Sequence, residues 1–234
     1  MRIKNLSFGF EKDAPPVLRD INLVIKAGEA IAITGTNGVG KSTFLNLLNG
    51  LLEPSSGEVQ LDGKPLTDYD AEYLRFHIGY APQSGVLYEG TILENMTLFR
   101  HGEVIDQALM LAKHLGLDGV IARLPEGFDT RVGGATVERL SAAVKQQILM
   151  IRALVGNPRV MLLDDTNACF DLKSDAKLLN LLMRVKGQRT LVVVTARPSF
   201  MRFCDRAFEL QDGRLTELRR ANQAPVAKQQ EQGQ

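Results

Sequence analysis

The stretch Gly35-Thr36-Asn37-Gly38-Val39-Gly40-Lys41-Ser42-Thr43 decides the reading of this chain. It follows the apolar run Ala30-Ile31-Ala32-Ile33-Thr34 and opens residues 41–52, where Phe44, Leu45, Leu47, Leu48 and Leu51 recur at helical spacing. Strand, glycine-rich loop and helix in that order make a phosphate-binding loop. Glycines let the backbone fold around phosphate oxygens, so that successive N–H groups and the helix N-terminus point at negative charge. Lys41 is placed to reach the β- and γ-phosphates, and the Ser42 hydroxyl to ligate Mg²⁺. Gly35, Asn37, Gly38, Gly40, Lys41, Ser42 and Thr43 are thus the expected contacts to a nucleoside triphosphate.

A second element completes the expectation. Val160-Met161-Leu162-Leu163-Asp164 is an apolar strand ending in an acid, which can hold the Mg²⁺ hydration shell opposite Ser42. Alone such a strand is common. Beside the phosphate loop it is informative.

Outward from these two points the chain reads as α/β. Residues 2–8 and 20–25 alternate apolar and polar, as half-buried antiparallel strands do. Residues 57–61 followed by Asp62-Gly63 read as a strand entering a tight turn. Residues 160–163 and 191–194 are short apolar runs of the kind found in parallel strands covered on both faces. Between them, residues 175–185 form an amphipathic helix candidate, and residues 84–154 have a helical texture broken by loops. Residues 219–234 are rich in Gln and Ala without periodicity and are expected to form a disordered tail.

Composition narrows the function classes. The 234 residues are 44% hydrophobic and 24% charged, enough for one large globular domain or a core with an insertion. A net charge of +1 does not favour nucleic acid or an anionic membrane surface. No apolar run reaches the roughly 18 residues of a membrane span, and no signal peptide opens the chain, so the polypeptide as given is expected to be soluble. Cys169 and Cys204 are far apart and read as reduced, buried thiols. His77, His101 and His114 read as ordinary surface or loop histidines.

Taken together, these strings resemble the ABC ATPase family over nearly all of residues 1–218. Pro82-Gln83, followed by Gly85-Val86-Leu87-Tyr88-Glu89-Gly90-Thr91-Ile92-Leu93-Glu94-Asn95, resembles the Q-loop stretch of exporter-type members. Leu124-Pro125-Glu126-Gly127-Phe128-Asp129-Thr130 resembles the stretch before the family signature in peptide- or protein-secretion members. Leu140-Ser141-Ala142-Ala143-Val144 falls where the signature Leu-Ser-Gly-Gly-Gln belongs, followed by Lys145-Gln146-Gln147 and Arg152-Ala153-Leu154. The resemblance implies a RecA-like P-loop core, an antiparallel β subdomain and an inserted α-helical subdomain. The core spans about 1–83 and 155–218, and the helical insertion about 84–154. It implies ATP and Mg²⁺ as ligands, with Ser42, Gln83 and Asp164 on the metal, Phe10 on the adenine and Asp171 as the D-loop aspartate. It implies a second such domain, in a homo- or heterodimer, whose nucleotide faces Ser141. A transmembrane partner or missing membrane domain then places the chain at the cytoplasmic face of a membrane, with no nucleic acid involved.

Three motifs depart from the family pattern. Asp165 stands where active members carry Glu, shorter by one methylene, roughly 1.5 Å of reach. Water activation is worth about 10²–10⁴-fold, so a misplaced carboxylate slows hydrolysis. Thr195-Ala196-Arg197-Pro198-Ser199 resembles Ser-His-Arg-Pro-Ser, which puts Ala196 at the switch histidine. Ala142 and Ala143 add methyl groups where glycines permit close backbone approach. The expectation is an exporter ATPase domain with weak turnover, in which Asp165, Gln83 and Lys41 carry the catalysis. A non-hydrolysing regulatory or structural partner is the alternative, and a soluble ABC ATPase acting on nucleic acid a more distant one.

Overall fold

The computed structural model describes residues 1–11, 14–133 and 140–218. The 219–234 tail expectation lies outside them. Two sheets divide the molecule. A four-stranded antiparallel sheet has the order β2-β1-β4-β5, formed by Leu18–Val24, Arg2–Phe8, Ser56–Leu61 and Lys64–Pro65. The N-terminal strands therefore build a sheet of their own, as the expected antiparallel β subdomain requires. A six-stranded sheet has the order β12-β11-β3-β10-β9-β6. Its members are Arg214–Glu217, Arg206–Gln211, Ala30–Thr34, Thr190–Val194, Val160–Asp164 and Ile78–Ala81. All its pairings are parallel except β11–β12.

The central strands β3, β9 and β10 are apolar on both faces because both faces are covered. Ile31, Ile33, Val160, Leu162, Val192 and Val194 pack toward α1 (Lys41–Leu48) and the antiparallel sheet. The alternate residues Ala30, Ala32, Met161, Leu163, Leu191 and Val193 face the helices on the other side. Those are α3 (Ile92–Thr97), α4 (Glu103–Leu115), α5 (Asp118–Ile121), α6 (Ala142–Leu154), α7 (Leu172–Val185) and α8 (Pro198–Phe203). At Gly79 of β6 an added Cβ would lie 2.1 Å from the Ala153 carbonyl, so strand and α6 backbone meet directly.

Helical texture in residues 84–154 resolves into α3 to α6, with a short antiparallel ribbon of β7 (Gly90–Thr91) and β8 (Arg131–Val132). Helix α3 is short but doubly capped: Thr91 Oγ1 accepts from the Glu94 N–H, and Glu94 Oε2 accepts from the Thr91 N–H. Before β6 lies α2 (Ala71–His77).

Several boundaries differ from the sequence expectation. Helix α1 ends at Leu48 and not at 52, since Gly50 takes φ +70° and turns the chain, leaving Leu51 exposed. Helix α7 begins at Leu172, earlier than 175, because the Asp171 carboxylate accepts the Ser174 N–H and caps it. Cys204 is buried, but Cys169 is exposed and corrects the expectation of two buried thiols: its loop turns outward there while Phe170 points in. His77 and His114 lie on helices; His77 stacks on Tyr73 and His114 meets Arg184 at 2.8 Å.

Candidate functional site

The carboxyl ends of β3, β10 and β9 lie side by side, which is where ligands bind in open α/β sheets. The phosphate loop leaves β3 there, Asp164 closes β9 there, and Ala196 follows β10 there. Phe10, Asn37, Gly38, Gly40, Lys41, Ser42, Thr43, Gln83, Asp164 and Asp165 all line one cleft of about 390 Å³. Among the described residues Val17 also lines it. Gly35 sits at the loop's entry, and Ser141 is elsewhere, at the N-terminus of α6.

The loop's shape depends on two glycines. Gly38 and Gly40 take φ +80° and +105°, a region that L side chains avoid. A Cβ on Gly40 would lie 2.7 Å from the Val17 side chain, whereas one on Gly38 meets nothing within 4 Å. The requirement at Gly38 is therefore conformational, and at Gly40 it is also steric. The Lys41 ammonium donates to the Gly35 and Thr36 carbonyls, both at 2.8 Å. This folds the cation over the loop, where an incoming phosphate can compete for it.

Asp164 is only 2% exposed at the floor of the cleft. Its Oδ2 accepts a hydrogen bond from the Tyr80 hydroxyl at 3.2 Å, and the Ser42 hydroxyl stands by the same carboxylate. Burial raises the Asp164 carboxyl above the ordinary aspartate range; the Ser42 and Tyr80 hydroxyls pull it down, nearby Asp165 adds to the rise, and Lys41 opposes it. Tyr80 is likewise pushed up, first by its own burial and then by Asp164.

Asp165 follows with φ +43°, a strained value for a side-chain-bearing residue, held by its N–H donating to the Val194 carbonyl at 3.1 Å. Gln83 Nε2 donates to Asp165 Oδ2 at 3.4 Å. Gln83 and Asp165 thus face each other across the cleft mouth. Ala196 is exposed and offers no polar group. Phe10 is 69% exposed, its ring edge-on to Phe8 with centroids 5.0 Å apart, so one face is free at the cleft rim.

Ser141 acts within the chain as the cap of α6, accepting the Val144 N–H at 3.3 Å. Val144 is buried and packs in the helical core, which gives the residue at the signature's last position a structural role. Helix α6 also holds the stretch on both sides of Gln83. Gln146 Nε2 donates to the Pro82 carbonyl at 2.7 Å, and Arg152 donates to the Val86 carbonyl, the Asn95 carbonyl and Asn95 Oδ1. Sequence reading did not single out Tyr80, Asn95 or Val17. Only the alternation along β6 bears on Tyr80, and it says nothing of a partner 84 residues away.

Among the described residues no three His, Cys, Asp or Glu side chains are placed to hold a metal, and no helix is long and apolar enough to cross a membrane.

Comparison with known proteins bears on this geometry. The model of a family described as ABC transporter matches residues 18–168. The exotoxin translocation ATP-binding protein PaxB of Pasteurella aerogenes is 35% identical over 214 residues, 92% of this chain and 30% of that protein. The alpha-hemolysin translocation ATP-binding protein HlyB of Escherichia coli is 32% identical over 214 residues, with the same coverages of 92% and 30%. A bacterial Atm1-family ABC exporter, solved with ATP bound, matches with a TM-score of 0.85 at 32% identity, over 92% of this chain and 37% of that one. The chain spans about a third of the length of these relatives.

Proposed function

This chain belongs to the ABC transporter family as an ATP-binding domain, and from that premise we propose that it binds ATP with Mg²⁺ in the β3–β9 cleft, turns it over slowly, and drives export across a membrane. The observation that carries the reading is the convergence of the phosphate loop, Gln83, Asp164 and Asp165 on one cleft.

In this reading the loop N–H groups and Lys41 take the phosphates, Lys41 exchanging the Gly35 and Thr36 carbonyls for phosphate oxygens. Phe10 offers its free face to the base. Ser42, Gln83 and Asp164 supply oxygen donors, which suit a hard cation. With so few acidic ligands, the rest of its shell falls to phosphate oxygens and water. An Mg²⁺ held by these residues would supply positive charge against the transferred phosphoryl group. Asp165 orients the attacking water, from a shorter arm than Glu would give and without a histidine at Ala196 to help.

The core at about 1–83 and 155–218 and the helical insertion at about 84–154 then move against each other as two such domains close on ATP, presenting Ser141 to the partner's nucleotide. A transmembrane partner would bring the chain to the cytoplasmic face of the membrane. The names of PaxB and HlyB, given for translocation of an exotoxin and of alpha-hemolysin, support export over import.

A second reading is favoured by a specific contact. Gln83 holds the Asp165 carboxylate, and the other acid among the described residues of the cleft wall, Asp164, is taken up by the ion, as suits a domain that binds ATP and leaves hydrolysis to a competent partner. Steady-state phosphate release and ATP affinity, measured on the parent and on an Asp165→Glu, Ala196→His variant, separate the two. A parent that binds ATP and releases phosphate slowly, with a variant at least tenfold faster, supports the disarmed motor. A parent with no release at all selects the non-hydrolysing partner, and a parent that binds no ATP overturns both.

A further inference from the structure

Tyr80 belongs to none of the strings that identify the cleft, yet it is bonded to the carboxylate at its floor. The sheet explains how. Tyr80 pairs with Leu162 in the β6–β9 register, and β9 ends two residues later at Asp164. Leu162 and Asp164 are two apart on one strand and share a face, so Tyr80 is the diagonal neighbour of Asp164, within reach of a long aromatic side chain. Its hydroxyl donates to Asp164 Oδ2 at 3.2 Å.

A buried carboxylate has several acceptor directions and two soft dihedrals. Among the described residues, Tyr80 on the neighbouring strand β6 is bonded to it and the Ser42 hydroxyl of the phosphate loop stands nearby. Tyr80 is stiff, packed among the core residues of its sheet face, and its hydroxyl has a defined position. Ser42 is on the first turn of α1 and is itself an expected metal contact. Once Ser42 turns to a bound ion, Tyr80 is the side-chain donor left on Asp164.

We propose that Tyr80 is a positioning residue that presets the Asp164 carboxylate for the ion bound with ATP. This rests on the cleft being the ATP·Mg²⁺ site. Tyr80 touches neither nucleotide nor ion and acts through Asp164 alone.

Tyr80→Phe removes the donor and keeps the ring. ATP affinity of the whole chain is measured with Mg²⁺ and with EDTA, for the parent, Tyr80→Phe, Asp164→Asn and the double variant. The expected result is a Mg²⁺-dependent gain in affinity that falls about tenfold in Tyr80→Phe, the scale of a hydrogen bond to a charged group, while affinity in EDTA stays within twofold of the parent. In the Asp164→Asn background, Tyr80→Phe is expected to have no further effect on the Mg²⁺ dependence. An unchanged or larger Mg²⁺ gain in Tyr80→Phe, an equal loss with and without Mg²⁺, or an undiminished effect beside Asp164→Asn overturns the proposal. A parent whose ATP affinity ignores Mg²⁺ overturns the reading of the cleft itself, and the positioning role with it.

Discussion

Arg197 is bound to the carboxylate of Asp175 on α7, and its other guanidinium nitrogen donates to the Asn167 and Phe170 carbonyls, each at 2.8 Å. The residue next to Ala196 thus holds the whole loop from Asp165 to Asp171, and Asn167 Nδ2 closes the network on Asp175 Oδ1 at 3.2 Å. Arg197→Met takes one donor from Asp175, which keeps Asn167 Nδ2, and the Arg197 donor from the Asn167 and Phe170 carbonyls. It should cost about 3 kcal/mol, the lower end for a broken buried pair because the Arg197 side chain keeps 29% exposure. Urea denaturation checks this, and Arg197→Met combined with Asp175→Leu should recover much of the loss.

Asp164 is held in a place that penalises its charge. Burial raises its carboxyl in the folded chain, so protonation favours the fold; that contribution is present below the ordinary aspartate range and disappears as pH rises through the raised value. At neutral pH the ionised group is a net cost. Asp164→Asn should therefore raise the melting temperature of the nucleotide-free protein at pH 7, by about 2–4 °C for each kcal/mol relieved, with the gap narrowing as pH falls. A lower melting temperature for the variant at pH 7 would contradict the electrostatic account.

Lys41 and Ser141 should separate cleanly. Lys41→Ala removes the one cation among the described residues that line the cleft and should abolish ATP binding by the single chain. Ser141→Ala leaves the cleft untouched but removes the cap of α6, costing about 1 kcal/mol. Its ATP affinity should stay at the parent's value, while amides in the first turn of α6 exchange faster. Asp at position 141 should restore their protection.

Gly79→Ala tests the contact between β6 and α6. The added methyl meets the Ala153 carbonyl at 2.1 Å and Pro158 Cγ at 2.7 Å, and neither can swing away as a long side chain could. Overpacking of this kind costs about 1–3 kcal/mol. The denaturation midpoint should fall with an unchanged slope.

Much of the site was legible because its parts are local. The phosphate loop is nine consecutive residues whose backbone angles, donors and cation need no distant partner, and ten of the expected residues do line one cleft. The β3, β9 and β10 runs were legible because strands covered on both faces must be apolar throughout. Helix ends were less so: Gly50 and Asp171 are ordinary residues until a turn or a cap uses them.

By itself, then, the sequence determined the order strand–loop–helix, the glycine-rich loop with its Lys41 and Ser42, and the apolar strands around it, each a property of neighbours along the chain. Only the tertiary structure decided that Tyr80 meets Asp164, that Arg197 ties down the loop after β9, and that Arg152 clamps Asn95. These pairs are 84, 30 and 57 residues apart. No local periodicity records such contacts, because what joins them is the register of packed strands and helices.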